Sequence, residues 1–173
     1  MDSLFEILKL ILPASIVFLT SFYIIKNFLD SEAKKRVLDV KISNREFITP
    51  VRLQAYERLA LFLERISPNS LVMRIHKNGM SARLLQTELL KTIRAEFEHN
   101  LSQQIYISNK GWEMVKNAKE EMIRLVNLSS ARVSDAASGT ELSQVIIDLA
   151  SKIDKLAPQV ALEYLKKEIA QTF

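Results

Sequence analysis

One apolar run limits what this chain can fold into more than any other feature. Residues 4–29 read LFEILKLILPASIVFLTSFYIIKNFL, with no charged residue from Leu10 to Ile25. A helix of about 20 mainly apolar residues crosses a hydrocarbon layer of about 30 Å. The uncharged part alone falls a little short of this. Lys9 and Lys26 bound it, however, and their stems can lie along the apolar region while the ammonium groups reach the headgroups. Ile16, Val17, Phe18 and Leu19 are consecutive, so apolar side chains cover every face of the helix. In a chain of 173 residues the remainder is too small to wrap such a helix, and lipid is the simpler surround. Pro13 falls in the first turns, where a missing donor is tolerated. Phe22, Tyr23 and Phe28 fit an interfacial aromatic belt, and serve equally as lipid-facing filler. A cleaved signal peptide fits less well: Asp2 and Glu6 accompany a single Lys9, and no small-x-small cleavage site follows the run. The expectation is one transmembrane anchor.

Flanking cations set its orientation. Lys9 and the terminal amine precede the apolar core, whereas Lys26, Lys34, Lys35, Arg36, Lys41 and Arg45 follow it. The amino terminus is therefore expected outside and the rest in the cytoplasm. The absence of cysteine agrees with this without establishing it, since a small secreted domain need not have disulfides.

The fold class expected is all-α, one transmembrane helix followed by a bundle of about five helices. Hydrophobic residues make up 48% and charged residues 25%, with only three glycines and four prolines, a helical mixture. The anchor segment occupies residues 1–30, a juxtamembrane helix and hinge 31–48, and the helical domain 49–173. Thr49 and Pro50 read as an amino-terminal cap and first helical residue. The next helix, 51–66, places Val51, Ala55, Leu59, Phe62, Leu63 and Ile66 on one side. Ser67 and Pro68 end it, and Asn78-Gly79 closes a short following segment. Ser81 caps a helix to about residue 101. The β-branched and aromatic run Gln104, Ile105, Tyr106 and Ile107 reads as an extended connector, with strand addition by a partner as an outside option. Ser108 caps a helix to about residue 134, whose weak seam of Val115, Ala118, Met122 and Leu125 is spoiled by Ser129 and the following Arg132, which favours intramolecular packing over a long coiled coil. Ser138 with Glu141 forms a capping box. It opens an amphipathic helix reaching Ile153 and Leu156, broken at Ala157-Pro158, and a last helix covers 159–173.

The run TPVRLQAYERLALFLERISP over residues 49–68, downstream of one apolar span, resembles a family of short, uncharacterised membrane-anchored proteins of Bacteroidota-type bacteria. The resemblance extends over most of the chain. It implies a bacterial inner-membrane setting and a domain of unknown function, and it carries no activity or site residues with it.

Catalytic signatures are missing. Without cysteine there is no thiolate nucleophile or thiolate metal site. His76 and His99 lie on different elements and share no ligand spacing. Gly79, Gly111 and Gly139 stand alone, so no loop cradles a phosphate. No cofactor, metal or small-molecule substrate is expected. The net charge of +4 is modest and aromatics are not interleaved with the cations, which argues against nucleic acid. Trp112 is expected in the core. Two basic clusters remain as candidate contacts for lipid or a partner: Lys34, Lys35 and Arg36 beside the anchor, and Arg74, His76, Lys77 and Arg83 around a turn. The plainer reading, a topology signal for the first and a solvated turn for the second, is preferred for each. The expected function is a non-catalytic interaction or assembly module working with a protein partner or as a homo-oligomer. The alternative is a module that binds anionic lipid or organises membrane, and an enzyme is the least favoured class.

Overall fold

The computed structural model describes the backbone of residues 2–172 and the side chains of residues 11, 15–36 and 48–171. Among the described residues there are six α-helices, one 3-10 turn and no strand: α1 (Asp2–Ile66), α2 (Pro68–Ile75), α3 (Ala82–His99), the 3-10 turn Leu101–Ile105, α4 (Asn109–Ser130), α5 (Gly139–Ser151) and α6 (Ala157–Thr172). The chain divides into two compact units, Met1–Thr49 and Pro50–Phe173.

The first unit is helical throughout its described backbone. The hinge expected within 31–48 falls in backbone that is helical throughout, and Pro50 lies inside α1 instead of opening a helix. A proline without an N–H looks the same in sequence at the first helical position and within a helix, which explains the misreading. The unit boundary nevertheless falls between Thr49 and Pro50. Among the described residues no helix is long and apolar enough to cross a membrane. The span expected over 4–29 extends into residues 4–10 and 12–14, whose side chains, Lys9 and Pro13 included, lie outside the described ones, as do those of Lys41 and Arg45.

In the second unit α4 packs against α3, α5 and α6, while α2 packs against α3 and α5. The end of α1 buries Ala55, Tyr56, Leu59, Phe62, Leu63 and Ile66, as the helical spacing requires; Val51 and Leu53 stay exposed. Leu85, Leu89 and Ile93 of α3 are buried in the same core cluster, and Phe62, Phe97 and Trp112 line up with ring centroids 6.0 and 5.3 Å apart. Trp112, 8% exposed, is a core residue as expected.

Ser81, Ser108 and Ser138 each accept the backbone N–H three residues on and cap α3, α4 and α5. Several boundaries differ from expectation. The stretch read as extended begins in the 3-10 turn Leu101–Ile105. Ile107 is buried and the Tyr106 carbonyl accepts from Arg52 Nε at 3.1 Å, so tertiary contacts override local strand preference. The helix opened by Ser108 ends at Ser130, and Ser129 belongs to its buried seam because its hydroxyl bonds to the Leu125 carbonyl at 2.8 Å. The helix opened by Ser138 ends at Ser151, leaving Ile153 exposed in the turn before α6.

Candidate functional site

The described part of the apolar run carries its side chains outward. Ile11, the four consecutive residues Ile16, Val17, Phe18 and Leu19, and then Phe22, Tyr23, Ile24, Ile25, Phe28 and Leu29 are all between 54% and 69% exposed. Consecutive exposed positions mean that every azimuth of α1 is apolar and uncovered. The hydroxyl of Thr20, within this band, returns its proton to the Ile16 and Val17 carbonyls at 2.9 and 3.0 Å, so it asks for no outside partner. Lys34, Lys35 and Arg36 follow and are exposed. Arg36 donates to Glu32 at 3.2 Å, one turn back, a pair that contributes little at a surface.

The second basic cluster is not one uniform patch. Arg74 donates to Glu96 at 3.5 Å and to the Arg65 carbonyl at 3.1 Å, and Arg65 meets the same Glu96 oxygen at 2.6 Å. Glu96 therefore draws Arg74 toward α1 and α3. His76 ends α2 with its Nε2 3.4 Å from Thr140 Oγ1. Lys77 and Arg83 are exposed and enter no ion pair among the described residues. The isolated bridge between Ser81 and Ser138 fixes the turn that carries them, with Ala82 N donating to the Ala137 carbonyl and Gly139 N to the Met80 carbonyl. The two clusters belong to different units.

A third polar centre was not foreseen. Tyr56 Oη donates to Glu168 Oε1 at 2.5 Å, Ser108 N donates to the same oxygen at 3.0 Å, and Ser108 Oγ donates to Oε2 at 2.6 Å. Ser108 Oγ in turn accepts from Gly111 N at 3.0 Å. One carboxylate thus joins α1, the start of α4 and α6. A negative charge at the amino end of α4 also suits the helix dipole. Burial works against the Glu168 carboxylate, yet the Ser108 and Tyr56 donors together with Arg52 outweigh it and hold its carboxyl below the usual range. Tyr56, 1% exposed, has its phenol pushed up to about 12, first by burial and then by the bond to Glu168 and its charge. No local signal announces this centre, because Tyr56 and Glu168 stand 112 positions apart. Among the described residues no buried side-chain nitrogen or oxygen lacks a partner. The centre is a satisfied clasp, its donors spent on the Glu168 carboxylate and the Ser108 hydroxyl.

Grooves in the second unit include one of about 340 Å³ among the ends of α1 and α5 and the start of α6, one of about 560 Å³ between α1 and α3, and one of about 410 Å³ between α4 and residues 153–161. The last is the most apolar in character, lined by Met122, Leu125, Leu128, Ile153, Leu156 and Val160. No group of three or more His, Asp or Glu suited to hold a metal ion is found among the described residues. His99 lines the α1–α3 groove alone among the histidines.

Compared with known proteins, the sequence matches, over residues 2–172, a family described as "Family of unknown function (DUF7935)". No curated protein and no solved structure matches it.

Proposed function

The chain belongs to that family of unknown function, DUF7935, and from this premise we propose that it is a single-pass, membrane-anchored helical module for interaction or assembly, without catalysis of its own. The observation that carries the reading is the band of large apolar side chains left uncovered on every face of α1. Held in water, such a band is a severe aggregation hazard; held in lipid, it is satisfied. The cations that follow it, Lys26, Lys34, Lys35 and Arg36, support an amino-out orientation with the helical domain in the cytoplasm. The setting proposed is the inner membrane of a Bacteroidota-type bacterium, on the resemblance of the 49–68 run. Tethering confines the helical domain to two dimensions and raises the effective concentration of whatever it binds.

The test is recovery of the full-length chain from its own membranes in mild detergent, with partners and their stoichiometry read by mass spectrometry. A partner recovered in fixed ratio at high salt supports the assembly reading. Recovery of the chain with lipid alone replaces it with the second reading, a lipid-binding or membrane-organising module. That reading is favoured by the exposed Lys77 and Arg83, which enter no ion pair among the described residues.

A further inference from the structure

Met80 occupies the joint between the turn that follows α2 and the starts of α3 and α5, three helices that pack on one another. Its backbone N–H donates to the Lys77 carbonyl at 3.2 Å, and its carbonyl accepts from Gly139 N at 2.7 Å. Beside it the isolated bridge pairs Ser81 with Ser138, and Ala82 N donates to the Ala137 carbonyl at 2.9 Å. Ser81 and Ser138 are the caps of α3 and α5, so this joint fixes both helix starts. The fit is close: a Cβ on Gly139 would meet the Met80 carbonyl at 3.0 Å and Met80 Cβ at 3.3 Å.

The Met80 side chain closes the turn on itself. Its sulfur accepts the backbone N–H of Lys77 at 3.2 Å, and no other acceptor among the described residues takes that N–H. The side chain is partly exposed and packs against the core cluster. A thioether is a weak acceptor and an oxidisable one. Oxidation places an oxygen on one of the sulfur lone pairs. On the pair facing Lys77 N, the new oxygen has no room at the present separation. On the other pair, it leaves an electron-poor sulfur that no longer accepts, and it adds a polar atom to a side chain packed on apolar neighbours. Either epimer breaks the contact as it stands. The other methionines provide contrasts: Met73 is 81% exposed, and Met122 is buried.

We propose that Met80 is an oxidation site whose sulfoxide unlatches the turn after α2 from the start of α5. The oxidant is a peroxide. A sulfur lone pair attacks one peroxide oxygen, the S–O bond forms as the O–O bond breaks, the transferred oxygen gives up its proton, and the other oxygen leaves as water. Sulfur loses two electrons and the peroxide gains them. Methionine sulfoxide reductases reverse the change. Losing the Lys77 hydrogen bond is expected to make local opening at the start of α5 about fivefold more frequent. This chemistry belongs to the helical domain and is independent of where α1 lies.

The experiment treats the full-length chain, in mild detergent, with dilute hydrogen peroxide. Peptide mapping follows oxidation at each of the five methionines, and hydrogen–deuterium exchange follows the Ala82 and Gly139 amides, the donors across the joint. Met73 is expected to oxidise first, Met80 next and Met122 last. Exchange at Ala82 and Gly139 should rise about fivefold in step with Met80 and not with Met73. Reductase treatment should restore the starting rates. The rise should persist in Met73→Leu. In Met80→Leu, peroxide should leave exchange at that variant's own starting value. Met80 oxidising no faster than Met122, exchange unchanged once Met80 is oxidised, or a rise that persists in Met80→Leu would each overturn the proposal.

Discussion

At Glu168 the consequences of losing charge and of losing shape differ. Its carboxylate accepts from Tyr56 Oη, Ser108 N and Ser108 Oγ. Glu168→Gln keeps a carbonyl for Ser108 N and an amide that can donate to Ser108 Oγ, so it is expected to cost only about 1 kcal/mol. Glu168→Leu leaves those donors unsatisfied and should cost about 2–4 kcal/mol. Tyr56→Phe removes one charge-assisted bond and should fall between them. Chemical denaturation of the four proteins tests that order. The same centre sets a pH dependence. Because Glu168 titrates below its usual range when folded, its contribution is present above the unfolded carboxyl pKa, near 4.5, and is lost as pH falls through the folded value. Tyr56 has the opposite sign: its pKa rises from 10.0 to about 12, so its contribution is present below pH 10 and fades between those values. Melting temperatures across pH should show an acid limb weakened in Glu168→Gln and an alkaline limb missing in Tyr56→Phe.

At the scale of elements, two glycines mark where the backbone is constrained. A Cβ on Gly111 would meet Glu168 Oε2 at 3.0 Å and Leu165 Cδ2 at 3.3 Å, pushing α6 from α4. Gly111→Ala should therefore destabilise by about 1–2 kcal/mol despite alanine's better helix propensity. Gly79 faces open space but sits at φ +85°, and Gly79→Ala should cost about 1 kcal/mol through backbone strain alone. Thermal melts of both variants distinguish the two causes if paired with Tyr56→Phe, since only Gly111→Ala shares a partner with the clasp and should combine with it non-additively. The same elements indicate what a sequence discloses. Helix starts were legible at Ser81, Ser108 and Ser138 because a cap is a local hydrogen bond. The inward stripes of α1 and α4 are legible because burial repeats with the helical period. Pro50 misled because its chemistry suits two positions, and the 3-10 turn Leu101–Ile105 because its partners lie far along the chain. Arg74 read as a free cation for the same reason, since Glu96 stands 22 positions away.

For the whole molecule, the central claim is that α1 carries the chain across a bilayer, and the assembly proposed for the helical domain takes place at that surface. The chain has no cysteine, so any introduced cysteine is a unique label. Replacing Ser3, Val17 or Asn78 one at a time leaves the clasp untouched. Asn78 is exposed, and Val17 lies in the uncovered apolar band. The most direct measurement is labelling of these three single-cysteine chains in native membranes with a membrane-impermeant maleimide. The account predicts that Ser3→Cys reacts from the outer face, that Asn78→Cys reacts only once the inner face is opened, and that Val17→Cys reacts only in detergent. Labelling of Val17→Cys in intact membranes, or reaction of Ser3→Cys and Asn78→Cys from the same face, would contradict it.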